Sequence, residues 1–145
     1  MNQTFPDDSS AGTTLSPEIW SQDPLSQNLH GEARIKGTVA TPEERIQVLV
    51  QTLKEDPNDP LGYYLVGMEY YKMARYGEAA SAHRRAIELM EDYTAAYRDL
   101  GKALRDAGRR EEAIAAFERG IAVAERTHDV QTMKEMQVFL RRLLE

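Results

Sequence analysis

The sequence predicts an all-α protein, a superhelical stack of helix–turn–helix units, and three observations carry that expectation. Residues 60–127 nearly repeat themselves at an offset of 34: Tyr63, Val66, Gly67, Tyr70, Ala79, His83, Ala86 and Ile87 recur as Tyr97, Leu100, Gly101, Leu104, Ala113, Phe117, Gly120 and Ile121. The apolar residues of these stretches fall at helical rather than strand spacing. Turn signals such as Asp56-Pro57-Asn58-Asp59-Pro60 and Gly108 separate them. With 145 residues, 41% hydrophobic and 29% charged, the chain suits one domain with a modest core that gains from the stacking of its units.

The register of each unit, aromatic, then aliphatic-Gly, then a large apolar residue, followed by Ala and an aromatic-type position, resembles the tetratricopeptide repeat, a helix–turn–helix unit of the same length. The resemblance implies two full repeats, 60–93 and 94–127, flanked by an N-terminal half-repeat helix and a C-terminal capping helix. It covers residues 41–145, roughly two thirds of the chain. It also implies a protein-interaction module whose first helices of each pair, the A helices, line a concave groove.

Residues 1–40 are rich in Ser, Thr, Gln, Asn, Asp, Gly and Pro without a sustained period, which reads as an acidic tail, disordered or peptide-like. Two features stand out in it. Ile19 and Trp20, the latter the chain's only tryptophan, form a candidate docking anchor. The run from Ala33 to Val39 alternates weakly and allows a short edge strand. Ordered structure is expected to open at Thr41, where Thr41-Pro42-Glu43-Glu44 supplies an N-cap hydroxyl, a first-turn proline and a Glu at the third position. The helix that follows, about 42–55, carries Ile46, Leu49, Val50 and Leu53 on one face.

In the first repeat the expected helices span about 61–74 and 77–90, in the second about 95–107 and 111–125. Gly67 and Gly101 interrupt helices, where Gly costs about 1 kcal/mol relative to Ala, so a larger residue there should clash with the paired helix. Gly108 suits the turn inside the second repeat, and Ala74 at the same place in the first suggests a looser turn. Glu91 and Glu125 stand where the family often has a terminal proline, so either second helix is free to run on. Past Thr127 an offset of 34 lands on Gln131, Lys134 and Glu135, which encode no third repeat. A last helix over about 129–144, with Val130, Met133, Met136, Phe139, Leu140, Leu143 and Leu144, is expected to cover the flank of the stack.

The candidate groove follows from one stripe of each A helix. Tyr64, Leu65, Met68 and Tyr71 make the first helix apolar nearly all round. Arg98, Lys102 and Arg105 occupy the matching stripe of the second, interspersed with Asp99 and Asp106. Two readings are open: a groove aromatic at one end and basic at the other, suited to a partner segment with apolar and acidic residues, or a first stripe covered by the 42–55 helix and the next A helix beside a second that is a solvated face with ion pairs Asp99–Lys102 and Lys102–Asp106. Repeat proteins that clamp chaperone tail carboxylates use Lys and Asn at set A-helix positions. Tyr64, Met68 and Asp99 stand at those places here, which disfavours that partner class.

Catalysis is not expected: there is no Gly-rich phosphate loop, no cysteine, and no Ser or Thr in a motif with His and Asp. No metal or cofactor site is expected either, since His30, His83 and His128 lack partners at coordinating spacing. A net charge of −6 argues against nucleic-acid binding, and Arg84-Arg85, Arg109-Arg110 and Arg141-Arg142 read as solvated pairs. No apolar run reaches the length of a signal core or a membrane span, so the expected location is the cytoplasm. The function expected is therefore that of an interaction module or adaptor. The alternative is a self-associating structural or assembly/secretion chaperone protein, a possible homodimer joined through the tail or the last helix.

Overall fold

The computed structural model describes residues 40–145. They form six helices and, among the described residues, no strand: α1 Pro42–Glu55, α2 Pro60–Lys72, α3 Tyr76–Leu89, α4 Thr94–Asp106, α5 Arg110–Arg126 and α6 Val130–Leu144. The expected anchor Ile19–Trp20 and the expected edge strand lie outside the described residues.

Thr41 starts α1 with a full capping box: the Glu44 N–H donates to Thr41 Oγ1 at 3.1 Å, and the Thr41 N–H donates to Glu44 Oε1 at 3.0 Å. Consecutive helices pack as antiparallel neighbours. The small residues set how closely they approach. A Cβ on Gly67 would stand 2.5 Å from the His83 ring, and one on Gly101 would stand 2.3 Å from the Phe117 ring. Both glycines therefore let the two helices of a pair touch through the ring of the second. The core is one continuous cluster running from Ile46 in α1 to Met136 in α6.

The turn at Ala74 corrects the sequence reading. Ala74 takes a φ of 60°, the same left-handed conformation as Gly108 at 81°. The Arg75 N–H donates to the Tyr70 carbonyl and the Ala74 N–H to the Tyr71 carbonyl, both at 2.9 Å. Arg109 and Gly108 make the equivalent bonds to Leu104 and Arg105. Both turns are Schellman closures, so the first is as tight as the second and alanine bears the conformational cost.

The end of the stack is corrected too. α3 stops at Leu89, whereas α5 runs on to Arg126. That extension places the N-cap of α6, Asp129, 36 residues after the N-cap of α4, Tyr93, rather than 34. At the longer offset Met133, Met136 and Leu140 take the places of Tyr97, Leu100 and Leu104. Met136 is fully buried, with its sulfur 2.5 Å from where a Cβ on Gly120 would lie. α6 thus occupies the position of a further A helix. α2 touches α4 and α4 touches α6, while α1, α3 and α5 have little or no mutual contact. The stack therefore curves with α2, α4 and α6 on its inner side.

Candidate partner-binding groove

Tyr64, Leu65, Met68, Tyr71, Arg98, Lys102 and Arg105 are all half-buried. The structure ties four of them into a polar ladder across the inner helices. The Tyr64 hydroxyl donates to Asp99 Oδ2 at 2.6 Å, and Arg98 grips the same group through Asp99 Oδ1 at 3.0 Å and the Tyr64 hydroxyl at 3.2 Å. Arg98 then reaches α6, donating to Glu135 Oε1 at 2.8 Å. Two helical turns further on, Tyr71 donates to Asp106, which also accepts from Arg105 at 2.8 Å. A third rung, Thr94 to Asp129 at 2.5 Å, repeats the spacing of 35 residues.

This ladder decides the electrostatics of the strip. Burial and the bond to Asp99 push the Tyr64 phenol well above its ordinary value, and burial and Asp106 push Tyr71 up to about 12. Burial works against the Asp99 carboxylate, but hydrogen bonds from Arg98 and Tyr64 outweigh it and hold the group below its ordinary range. The Arg105 contact does the same, as the leading cause, for Asp106. The two arginines expected to make a basic end thus carry their own counter-charges. The ion pairs Asp99–Lys102 and Lys102–Asp106 do not form, because Tyr64, Tyr71 and the arginines occupy both carboxylates. Lys102 instead lies over the rings of Tyr71 and Phe139, 5.4 and 5.9 Å from their centres. Among the described residues its ammonium has no carboxylate partner within ion-pair distance.

Between α2 and α4 the strip opens into a cavity of about 130 Å³ lined by Met68, Tyr71, Lys72, His83, Asp99 and Lys102. Its origin is legible by comparing the repeats. On the next step of the stack Phe117 stacks on Phe139 at 5.6 Å and fills the corresponding space. Here the smaller His83 replaces Phe117, and Ala103, in register with Phe139, replaces the second ring. His83 is fully buried, and its Nδ1 has no hydrogen-bond partner among the described residues. Burial lowers its pKa to about 4, so it is neutral in the working range. Met68 stays out of the core cluster and forms the cavity's apolar wall. Leu65 belongs neither to the ladder nor to the cavity lining.

Sequence reasoning missed Asp99, Asp106 and Glu135 as rungs and Phe139 as a cover. A signal was present: Tyr64, Tyr71 and Thr94 each have an Asp 35 residues later. Among the described residues no group of His, Asp or Glu is placed to hold a metal ion, and no helix is long and apolar enough to cross a membrane.

The geometry defines a helical-repeat protein with an inner strip and an outer face. The tetratricopeptide-repeat family model matches residues 70–136. The TPR repeat-containing protein PA0015 of Pseudomonas aeruginosa is 35% identical over 98 residues, covering 68% of this chain and 93% of that protein. The solution structure of protein BPP2914 from Bordetella parapertussis superposes with a TM-score of 0.61 at 33% identity, over 68% of this chain and 86% of the other. The crystal structure of MamA shares the fold, with a TM-score of 0.55 at 23% identity over 71% and 67% of the two chains. The chain belongs to the tetratricopeptide-repeat family. Proteins of this family are generally protein-binding scaffolds rather than enzymes.

Proposed function

We propose that this protein is an adaptor that holds a segment of a partner protein along the inner strip, centred on Met68, Tyr71 and Lys102. The observation that carries this reading is the cavity between α2 and α4, open on the inner side and walled by Met68 and Tyr71 under an ammonium with no ion-pair partner among the described residues. A cavity of this size takes one aliphatic side chain; cavities of roughly 150 Å³ hold a benzene. A carboxylate next to that side chain in the partner would meet Lys102. The strip selects for one apolar anchor with an acidic neighbour, a narrower demand than the broad basic groove expected from sequence, because Arg98 and Arg105 are already paired.

The test is selection of random twelve-residue peptides on the intact protein, followed by affinities for Met68→Asp and Lys102→Glu. Each variant should lose about tenfold or more for peptides carrying the motif, matching the roughly 1.4 kcal/mol that one good contact supplies. Undiminished binding by both variants would place the site elsewhere. A second reading, self-association, is favoured by α6, whose buried residues are Thr132 and Met136 and which leaves Val130 and Leu144 more than half exposed.

A further inference from the structure

Three features of the described surface bear on what else the molecule could hold. One is a groove of about 680 Å³ between α3 and α5 on the outer face, whose rim sets Arg84, Arg119 and Arg126 against Glu88, Glu91 and Glu112; with balanced charges it favours no class of ligand. The second is the outward face of α6, where nothing described indicates what covers it. The third is the cavity beside His83 together with the point at which the preceding chain leaves α1, and only this one names an occupant.

α1 runs antiparallel to α2. Arg45, in its first turn, lies 3.0 Å from Glu69 in the last turn of α2, while Leu53 near its other end packs on Gly62. The chain before residue 40 therefore leaves beside the C-terminal end of α2, where Met68, Tyr71 and Lys72 stand. Lys72, on the cavity rim, shares Glu69 with Arg45 at 3.4 Å. The preceding residues carry Asp7, Asp8, Glu18, Asp23 and Glu32 against Arg34 and Lys36. Within them one aliphatic residue, Ile19, stands directly between a carboxylate, Glu18, and the only tryptophan, Trp20. About twenty residues separate this group from Ala40, a chain length whose maximum reach of roughly 65–70 Å is ample to bring it to the cavity from the start of α1. A short tether of this kind gives an effective concentration on the order of millimolar, so a weak contact suffices.

We infer that residues 18–20 of this same chain occupy the inner strip, with Ile19 in the cavity beside His83, Glu18 against the Lys102 ammonium, and Trp20 on the rim. This rests on the inner-strip reading and deepens it: the protein carries an internal copy of the motif its partners must present, and a partner binds by displacing it. The cavity suits Ile19 rather than Trp20, since an indole is larger than the space available. Charge favours the pairing, because Lys102 is the strip's basic group left without a carboxylate among the described residues.

The single tryptophan makes the test direct. Acrylamide quenching of Trp20 is measured in the full chain, in Ile19→Ser and Lys102→Glu variants of it, and in a synthetic peptide of residues 13–27. The wild-type chain should be quenched severalfold less than the peptide, independently of protein concentration, and both variants should approach the peptide's value with helix content unchanged. Ile19→Ser leaves every residue of the six helices unchanged, so unaltered helix content separates lost docking from unfolding. Wild-type quenching equal to that of the peptide, or protection indifferent to both variants, overturns the inference. Protection that appears only as concentration rises overturns it in favour of exchange between copies. If Trp20 is unprotected while selected peptides still need Met68, the docking fails and the strip reading stands. If Trp20 is protected through Lys102 while no external peptide binds, the external partner fails and the docking stands.

Discussion

His83 concentrates the chemistry of the strip in one side chain. It sits where the second repeat has Phe117, pressed on Gly67 as Phe117 is on Gly101, with the Tyr64 ring 5.2 Å away. The folded state keeps it neutral to about pH 4, against about 6.5 for an exposed imidazole. Between those values the unfolded chain binds the extra proton, so stability is complete above about 6.5 and falls as pH drops toward 4. The two and a half units between them correspond to a loss of about 3 kcal/mol. Urea unfolding at about pH 7.5 and about pH 5 should show a marked fall for the wild-type chain and a much smaller one for His83→Phe. Equal falls in both would mean that His83 does not carry this dependence. The carboxylates work in the same direction but lower: Asp99, Asp106, Asp129 and Glu135 are held below their ordinary values, and their contribution is lost only as pH falls through those depressed values. That His83 would be buried was legible from its register with Phe117. The cavity beside it was not, because the contrast with the filled step of the next repeat depends on Phe139, which is in register with Ala103 only at the longer offset.

At the scale of elements, the turns carry a testable cost. Ala74 and Gly108 close identical Schellman turns, yet only glycine enters the left-handed region freely. Ala74→Gly should therefore stabilise the protein by about 1 kcal/mol despite the greater freedom of glycine in the unfolded chain. A rise in urea midpoint at unchanged slope checks it; no rise would mean the alanine is unstrained. The helices themselves were readable from sequence because capping residues, prolines and apolar spacing agree locally, as at Thr41-Pro42-Glu43-Glu44. What a fixed repeat length could not reveal was the position of α6. α5 is three residues longer than α3 and the link after it one residue shorter, a net shift of two that puts Met133, Met136 and Leu140 out of phase, and only the burial of Met136 against Gly120 restores the register. The groove chemistry was half legible for a similar reason. The residue types were visible, but pairing depends on an offset of 35, which links Tyr64 to Asp99 and Tyr71 to Asp106 across neighbouring helices. Neighbours within a helix, such as Asp99 and Lys102, were the more obvious partners in sequence and lose that competition in space.

At the scale of the whole molecule, the ladder and the core divide the work. The core from Ile46 to Met136 holds the six helices as one stack, and the ladder fixes the spacing of α2, α4 and α6 on the inner side. A preformed strip with its cavity between α2 and α4 suits recognition that relies on a prepared surface rather than on rearrangement. The methionines offer reporters spread over this architecture: Met68 at the cavity, Met136 on the buried face of α6, and Met90, exposed, just beyond α3. The most direct test of the central claim is a titration of methyl-labelled methionine in the intact protein with a peptide selected on it, followed by NMR. The account predicts that the Met68 methyl shifts in proportion to occupancy while those of Met90 and Met136 stay in place. A Met90 response with Met68 unmoved would contradict it and move the partner to the outer face.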